Sequence, residues 1–315
     1  MRYFDIQITD DNGTLIKQFT SLTPQGTFNP GAPMIEVDIQ RYGLSTPKGM
    51  SLLRVWGPSI TDIRQATRNY ANKNISISLG MSAGLPLANP KQAGLAIQGI
   101  IQQPFGNWQG TEQSLDFLIT AGYGSNSEPK NIVLQWSAGQ KMSTALFFSL
   151  QRAFPDWKIT INISDNLVTN YDNNGFYNTL SQLAQQIKIL SKSIITTPNY
   201  AGVEMATTPG EIRVWDGSET KTPTQLQFVD LVGQPTWIEA QKVSIKLVMR
   251  ADIQTGDYIR MPAGSLSVTT AASYAQYRDQ SSFTGDMMVT DVRLVGNSRQ
   301  PDGNSWVTIL EAVPV

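Results

Sequence analysis

The chain has 315 residues, of which 40% are apolar and only 16% charged, with 24 Lys+Arg against 25 Asp+Glu. Near-neutral charge without a Lys/Arg cluster argues against general nucleic-acid or acidic-membrane binding. Cys and His are both absent, which excludes disulfides, thiolate nucleophiles, Ser-His-Asp chemistry, zinc hydrolysis and haem ligation by His.

Gly (25) and Pro (17) with abundant Thr, Ser, Gln and Asn point to short strands and many turns. No run of eighteen apolar residues is present, so no spanning helix or membrane anchor is expected. The start, Met1-Arg2-Tyr3-Phe4-Asp5, lacks the apolar core of a signal peptide, and synthesis in a cytoplasm is expected. The poorly charged, amide-rich composition fits either a surface covered by other proteins or a β-rich fold with an uncharged exterior.

Residues 3–8 and 14–19 alternate on either side of Asn12-Gly13, a strong hairpin signal. Strands are expected at 34–42 and 49–56. A short helix within 59–70 would put Ile63, Ala66 and Tyr70 on one side. Further strands are expected at 74–79, 95–101 and 114–120, the last two joined by a loop carrying Trp108. Gly94 and Gly99 lie in strand-like sequence, where glycine often marks a bulge. These elements make a β unit over residues 1–125.

The pattern then changes. Strands are expected at 131–136 and 157–163, and a helix at 144–154 with Ser143 as its N-cap and Pro155 at its end. The strongest helical stripe is Leu180, Leu183, Ala184, Ile187 and Leu190 within 177–192. A short hairpin follows around residues 207–210. Residues 126–218 therefore read as one or two small α+β modules, bounded by polar linkers at 122–129 and 216–223.

Residues 219–315 form a second β unit. Val243, Ile245, Leu247 and Met249 share one face of a strand, which turns through Asp252 and Gly256-Asp257 into 258–261. Strands at 287–295 and 306–310 follow, joined by the polar loop 297–304. The fold class is thus mainly β with α+β inserts: two similar small β-barrels, closed or nearly closed, flanking the middle modules. A spacing echo links the two β units. Asp62-Ile63 precedes the Ile100-Ile101 strand by 38 residues and the Phe117 strand by a further 17; Asp252-Ile253 precedes the Val292 strand by 40 and the Thr308 strand by a further 16. Either duplication or the chance spacing of a β-rich chain produces such an echo.

Chemistry has little to work with. No phosphate-binding loop occurs. Paired carboxylates are the one enzymatic option, with Asp165, Asp172 and Glu204 in the middle and Asp252 and Asp257 at the late turn, and these residues also suit turns and caps. Glu36, Asp38, Asp10 and Asp11 lack calcium-loop spacing. No catalytic residue, metal site or cofactor is expected. Trp136, Trp157, Trp215 and Trp306 sit in strand patterns and belong in cores, which leaves Trp108 as the candidate interface residue.

The order of elements from Asp252-x-x-x-Gly256-Asp257-x-Ile259, through Val289-x-x-Val292 and Pro301-Asp302-Gly303, to Trp306-x-Thr308-x-Leu310 resembles the last barrel of phage tail baseplate hub proteins, the central hub of contractile tails and the related late-control type proteins. The specific match covers about the last seventy-five residues, and the order of β unit, α+β inserts, β unit extends it over most of the chain. The middle modules do not match residue by residue. The resemblance implies a non-enzymatic virion protein of the tail baseplate. It implies a homotrimer whose six barrels form a pseudo-sixfold ring between the sixfold tail tube protein and the threefold central spike protein, with tape-measure and wedge proteins as further neighbours. A hexameric distal tail protein, and a cell-wall hydrolase or carbohydrate-binding tail protein, are the alternatives.

Overall fold

Alternation of apolar and polar residues dictates most of the structure. In β1 (Arg2–Thr9), Phe4, Ile6 and Ile8 turn to one side and are buried. Asp10 closes the turn into β2 (Leu15–Thr20): its carboxylate accepts the Asn12 and Thr14 N–H groups, and Gly13 takes the left-handed φ of +81° that the turn requires. The expected hairpin is present. The structure is a computed structural model that describes residues 2–45, 50–81, 90–121, 131–197, 200–208, 211–219, 222–239, 242–262, 269–270 and 285–314. The linker at 122–129, the tip of the 207–210 turn and residues 220–221 of the second linker lie outside these.

Two compact units emerge. One comprises Met1–Arg41, Gly49–Ala121 and Pro223–Val315; the other comprises Tyr42–Lys48 and Gly122–Thr222. The first unit adds β3 (Ile35–Tyr42), β4 (Ser51–Trp56), the short helices α1 (Ile60–Arg64) and α2 (Ala66–Tyr70), β5 (Asn74–Met81), β6 (Gly94–Gln109) and β7 (Glu112–Ala121). The single helix expected over 59–70 is broken at Gln65, but Ala66 and Tyr70 still face the core.

In the second unit, β8 (Ile132–Trp136) pairs with β10 (Asn173–Tyr177), while β9 (Lys158–Asn162) runs parallel to β12 (Glu211–Trp215), which pairs with β11 (Glu204–Thr208). Helices α3 (Met142–Ala153) and α4 (Leu180–Ile194) complete this α+β unit. Leu180, Leu183, Ala184 and Ile187 bury as their spacing requires, and Thr179 caps α4 by accepting the Gln182 N–H. Ser143 is not the cap of α3. The helix begins two residues earlier, with Lys141 at its N-cap: Met142 N–H donates to the Leu167 carbonyl at 2.8 Å, and the Thr144 and Ala145 N–H groups both reach the Lys141 carbonyl.

The chain returns to the first unit with β13 (Thr224–Gln225), β14 (Thr236–Glu239), β15 (Lys242–Val248), β16 (Tyr258–Arg260), β17 (Thr269–Thr270), β18 (Asp286–Asn297) and β19 (Trp306–Pro314). All four expected inward residues, Val243, Ile245, Leu247 and Met249, are buried. The strands of both β units join one sheet, ordered β17-β14-β15-β19-β18-β3-β4-β7-β6-β5-β1-β2, with β16 beside β18 and β13 beside β16. The mainly β class holds, but the sheet path stays open among the described residues. A single apolar core runs through both β units.

The two halves of this sheet repeat each other, register for register. A shift of 188 residues carries β6 onto β18, and one of 193 carries β7 onto β19. Gly99↔Ala121 becomes Met287↔Pro314, and Ile101↔Ile119 becomes Val289↔Ala312. The bulge falls in the same place: Gln103↔Leu118 beyond it becomes Asp291↔Glu311. A shift of 192 carries β4 onto β15, so that Leu53↔Phe117 becomes Ile245↔Leu310. A shift of 184 carries the start of β5 onto β16, so that Ile75↔Gly99 becomes Ile259↔Met287. The sequence echo pairs the correct strands, but the register matches Phe117 to Leu310 and Ile100 to Met288.

Polar seams join the halves. Arg293 grips Asp38 through bonds of 2.8 and 2.6 Å, and the Asn297 amide reaches Glu36 at 3.0 Å. Trp306 donates its indole N–H to the Gly80 carbonyl at 2.9 Å. Arg41 donates to the carbonyls of Leu95 and Ala96 in one half and of Ala251 and Ile253 in the other.

Candidate assembly surface

β6 changes character along its length. Up to Ile101 it lies between β5 and β7; beyond the bulge it continues on β7 alone, and Gln102, Gln103, Phe105, Gly106, Asn107, Trp108 and Gln109 are all exposed. Trp108, expected on a loop, is in the strand opposite Gln113. The ladder persists to Gln109↔Glu112, so the connection shrinks to Gly110 and Thr111, with Gly110 at φ +60°. The Trp108 indole N–H donates to the Gly110 carbonyl at 2.9 Å, while the residue is 57% exposed.

This arm is held at its base. Arg54 forms a bidentate pair with Asp116 of β7, both bonds 2.8 Å, and Asn107 donates to the same carboxylate at 3.2 Å. That carboxylate holds the Arg54 guanidinium above its ordinary range. On the other face, α1 packs on β6 and β7. A Cβ at Gly106 would lie 2.4 Å from the Ile63 carbonyl oxygen and 2.8 Å from the Ile63 Cα. Gly106→Ala is therefore expected to push α1 off the strand and cost about 1–3 kcal/mol, read as a lower denaturant midpoint with unchanged slope.

Asp62 anchors α1. It accepts Tyr70 Oη at 2.6 Å, Ser59 Oγ at 2.8 Å and Lys17 Nζ of β2 at 2.9 Å. Burial pushes the carboxyl up, but the bonds from Tyr70, Lys17 and Ser59 outweigh it and hold it below its ordinary value near 3.8. Its folded value lies below its unfolded one, so its stabilisation is complete above that ordinary value and is lost as pH falls through the folded one. Asp62→Asn is expected to flatten the acid limb of the stability–pH profile, measured by denaturant titration between about pH 2 and 5.

The other candidate residues do not converge. Asp165 pairs with Lys141 at 2.7 Å, Asp172 accepts the Ala138 N–H at 2.8 Å, and Glu204 bonds Ser45 and Lys188. Asp252 pairs with Arg250 at 2.6 Å, and Asp257 accepts the Gln254 N–H at 2.8 Å. Asp11 sits 3.9 Å from Lys73, and Glu36 sits 3.6 Å from Arg54. Among the described residues no group of three or more acidic side chains could hold a metal ion. A half-open pocket of about 280 Å³ in the second unit is lined by Val133, Gln135, Phe148 and Arg152 among others, and no carboxylate lines it. Trp136, Trp215 and Trp306 are buried as expected, and Trp157 packs against Phe154 with ring centroids 6.0 Å apart.

The exposed stretch of β6 has one sequence signal that periodicity alone passes over. No charged residue occurs between Lys91 and Glu112, whereas exposed edges usually carry charge against unwanted pairing.

No protein-family model matches the sequence, and no curated protein sequence matches it. Solved structures do. The 43 kDa tail protein of prophage MuSo2 from Shewanella oneidensis is similar at a TM-score of 0.55 and 8% identity, over 100% of this chain and 97% of that one. A component of the E. coli type VI secretion system, itself described as structurally similar to the bacteriophage T4 tail proteins gp27 and gp5, is similar at a TM-score of 0.50 and 9% identity, over 90% of this chain and 73% of that one. At such identities the likeness is one of fold, a fold shared with a prophage tail protein and with a type VI secretion component that resembles phage tail proteins.

Proposed function

We propose that this chain is a structural, non-enzymatic hub protein of a phage tail baseplate. Three copies form a pseudo-sixfold ring that adapts a sixfold tail tube to a threefold central spike of a contractile tail. The observation that carries the reading is the register-matched repeat: one chain holds two copies of one four-strand arrangement, so three chains present six near-equivalent units. The sheet path, open among the described residues, supports it, because an uncovered strand edge is a site for pairing with another chain. The fold shared with a prophage tail protein supports the tail as its location. Tube and spike proteins are the proposed partners on opposite faces of the ring, with tape-measure and wedge proteins as further neighbours, and Trp108 is a proposed interface residue.

Mass photometry of the purified chain, alone and with tube and spike proteins, tests this. The expected species is a trimer that gains mass with each partner. A chain that stays monomeric in the presence of both would overturn the reading.

A further inference from the structure

In the second compact unit, α3 presents two stripes at helical spacing. Met142, Leu146 and Leu150 bury in the core of the unit. Ala145, Phe148, Ser149 and Arg152 form one wall of the half-open groove of about 280 Å³. The facing wall is β8, through the alternate residues Val133 and Gln135. From Ala145 to Arg152 the helix rises about 10 Å, the length of about three residues of extended chain.

The groove lies on the side of β8 away from its partner strand. β8 pairs with β10, no β10 residue lines the groove, and among the described residues no other strand pairs with β8. The β8 backbone groups that point away from β10 have no backbone partner among the described residues. An edge of this kind is a template for one more strand. Ala145 and Ser149 are small, and the Ser149 hydroxyl turns back to the Ala145 carbonyl at 2.8 Å, so neither fills the space. Phe148 is 65% exposed and meets Phe147 edge to face, with centroids 5.8 Å apart.

The charge in the groove has one sign. Lys141, Lys158 and Lys188 of this unit each pair with a carboxylate, whereas the Arg152 guanidinium has no ion-pair or hydrogen-bond partner among the described residues. No carboxylate lines the groove. At the other end the Gln140 side-chain oxygen accepts the Ser137 N–H at 3.1 Å, which leaves the Gln140 NH2 group as a further donor.

We infer that this groove binds an extended acidic segment of another protein, added to β8 as a further strand. Backbone hydrogen bonds to the open edge of β8 hold the segment, and an Asp or Glu side chain pairs with Arg152. Phe148 and Arg152 are one helical turn apart, a rise of about 6 Å, close to the roughly 6.6 Å between alternate side chains of a strand. The recognised pattern is therefore an acidic residue two positions from an apolar one that covers Phe148. This surface belongs to the second unit and does not depend on the ring proposed above.

Selection of displayed random heptapeptides on the full-length chain tests it. Enriched peptides are expected to share that pattern. By fluorescence anisotropy, a synthetic copy is expected to bind Arg152→Glu at least about tenfold more weakly than the parent chain, and Arg152→Lys nearly as well as the parent. Arg152 is exposed, so both variants should fold, and their urea midpoints check this. Hydrogen exchange should slow in β8 when the peptide binds, while β12, already paired on both sides, stays unchanged. A selection without the pattern, an affinity unmoved by Arg152→Glu, or unprotected β8 amides would each overturn the inference. So would binding confined to acidic sugars when the same chain is applied to a glycan array.

Discussion

Arg41→Met is expected to destabilise the β-rich unit by about 3–5 kcal/mol, the range for breaking a buried charged network by removing one member. The Arg41 guanidinium meets carbonyls from two distant segments: Nε and Nη2 reach Ala96 and Leu95 at the start of β6, and Nη1 reaches Ala251 and Ile253 between β15 and β16. Burial draws its pKa down to about 10, with Asp257 and Asp252 pulling the other way, so it remains a cation near neutrality. Methionine keeps the stem but leaves four carbonyls without their donor, each an uncompensated desolvation. Arg41→Lys restores charge but not the planar fork that spans both segments, and it should recover only part of the loss. Thermal melting gives the measurement. With about 2–4 °C per kcal/mol at this size, the midpoint should fall by roughly 6–20 °C. A fall below about 2 °C would show that the two halves do not depend on this clamp.

Phe117→Ala should cost about as much, roughly 3–5 kcal/mol, by a different route. Phe117 is fully buried in the sheet core and meets Tyr70 edge to face, with centroids 5.6 Å apart at 80°. Removing the ring opens a cavity and frees Tyr70, whose hydroxyl is bonded to Asp62, so α1 and α2 should loosen along with the strand. The repeat refines the expectation. Phe117 corresponds to Leu310, itself fully buried, so Phe117→Leu asks the first half to pack as the second half already does. The leucine variant should lose less than half of what the alanine variant loses in the same denaturant titration. Equal losses would indicate that the aromatic pair, rather than filled volume, dominates at this position.

Strand positions were legible because one buried face forces alternation. Phe4, Ile6 and Ile8, and Val243, Ile245 and Leu247, announce themselves with no reference to what they pack against. α4 was legible for the same reason at helical period. The start of α3 was not, because its first turn is satisfied by the Leu167 carbonyl, a contact far along the chain that no local cap residue reveals. Trp108 was misplaced because the exposed arm of β6 alternates weakly. With few buried residues in the arm, polar Gln102, Gln103 and Asn107 read as loop, although the ladder to β7 holds them in strand. Most of the repeat lay hidden in sequence because backbone pairing, not side-chain identity, is what the two halves share. Phe117 and Leu310, or Ile101 and Val289, need agree only in pointing inward. The joining of both halves into one sheet is a tertiary fact, carried by β3 meeting β18.

That meeting has a consequence for how the polypeptide is made. β3 ends at Tyr42 and β18 begins at Asp286, so about 240 residues separate a strand from the neighbour that covers it. At a translation rate of about 5–20 residues per second, roughly 12–50 seconds pass between the emergence of one and the other from the ribosome. Throughout that interval the nascent N-terminal half is complete except along one border. The window in which the newborn chain is most prone to capture by the wrong strand, or by a chaperone, therefore closes only when β18 itself has emerged.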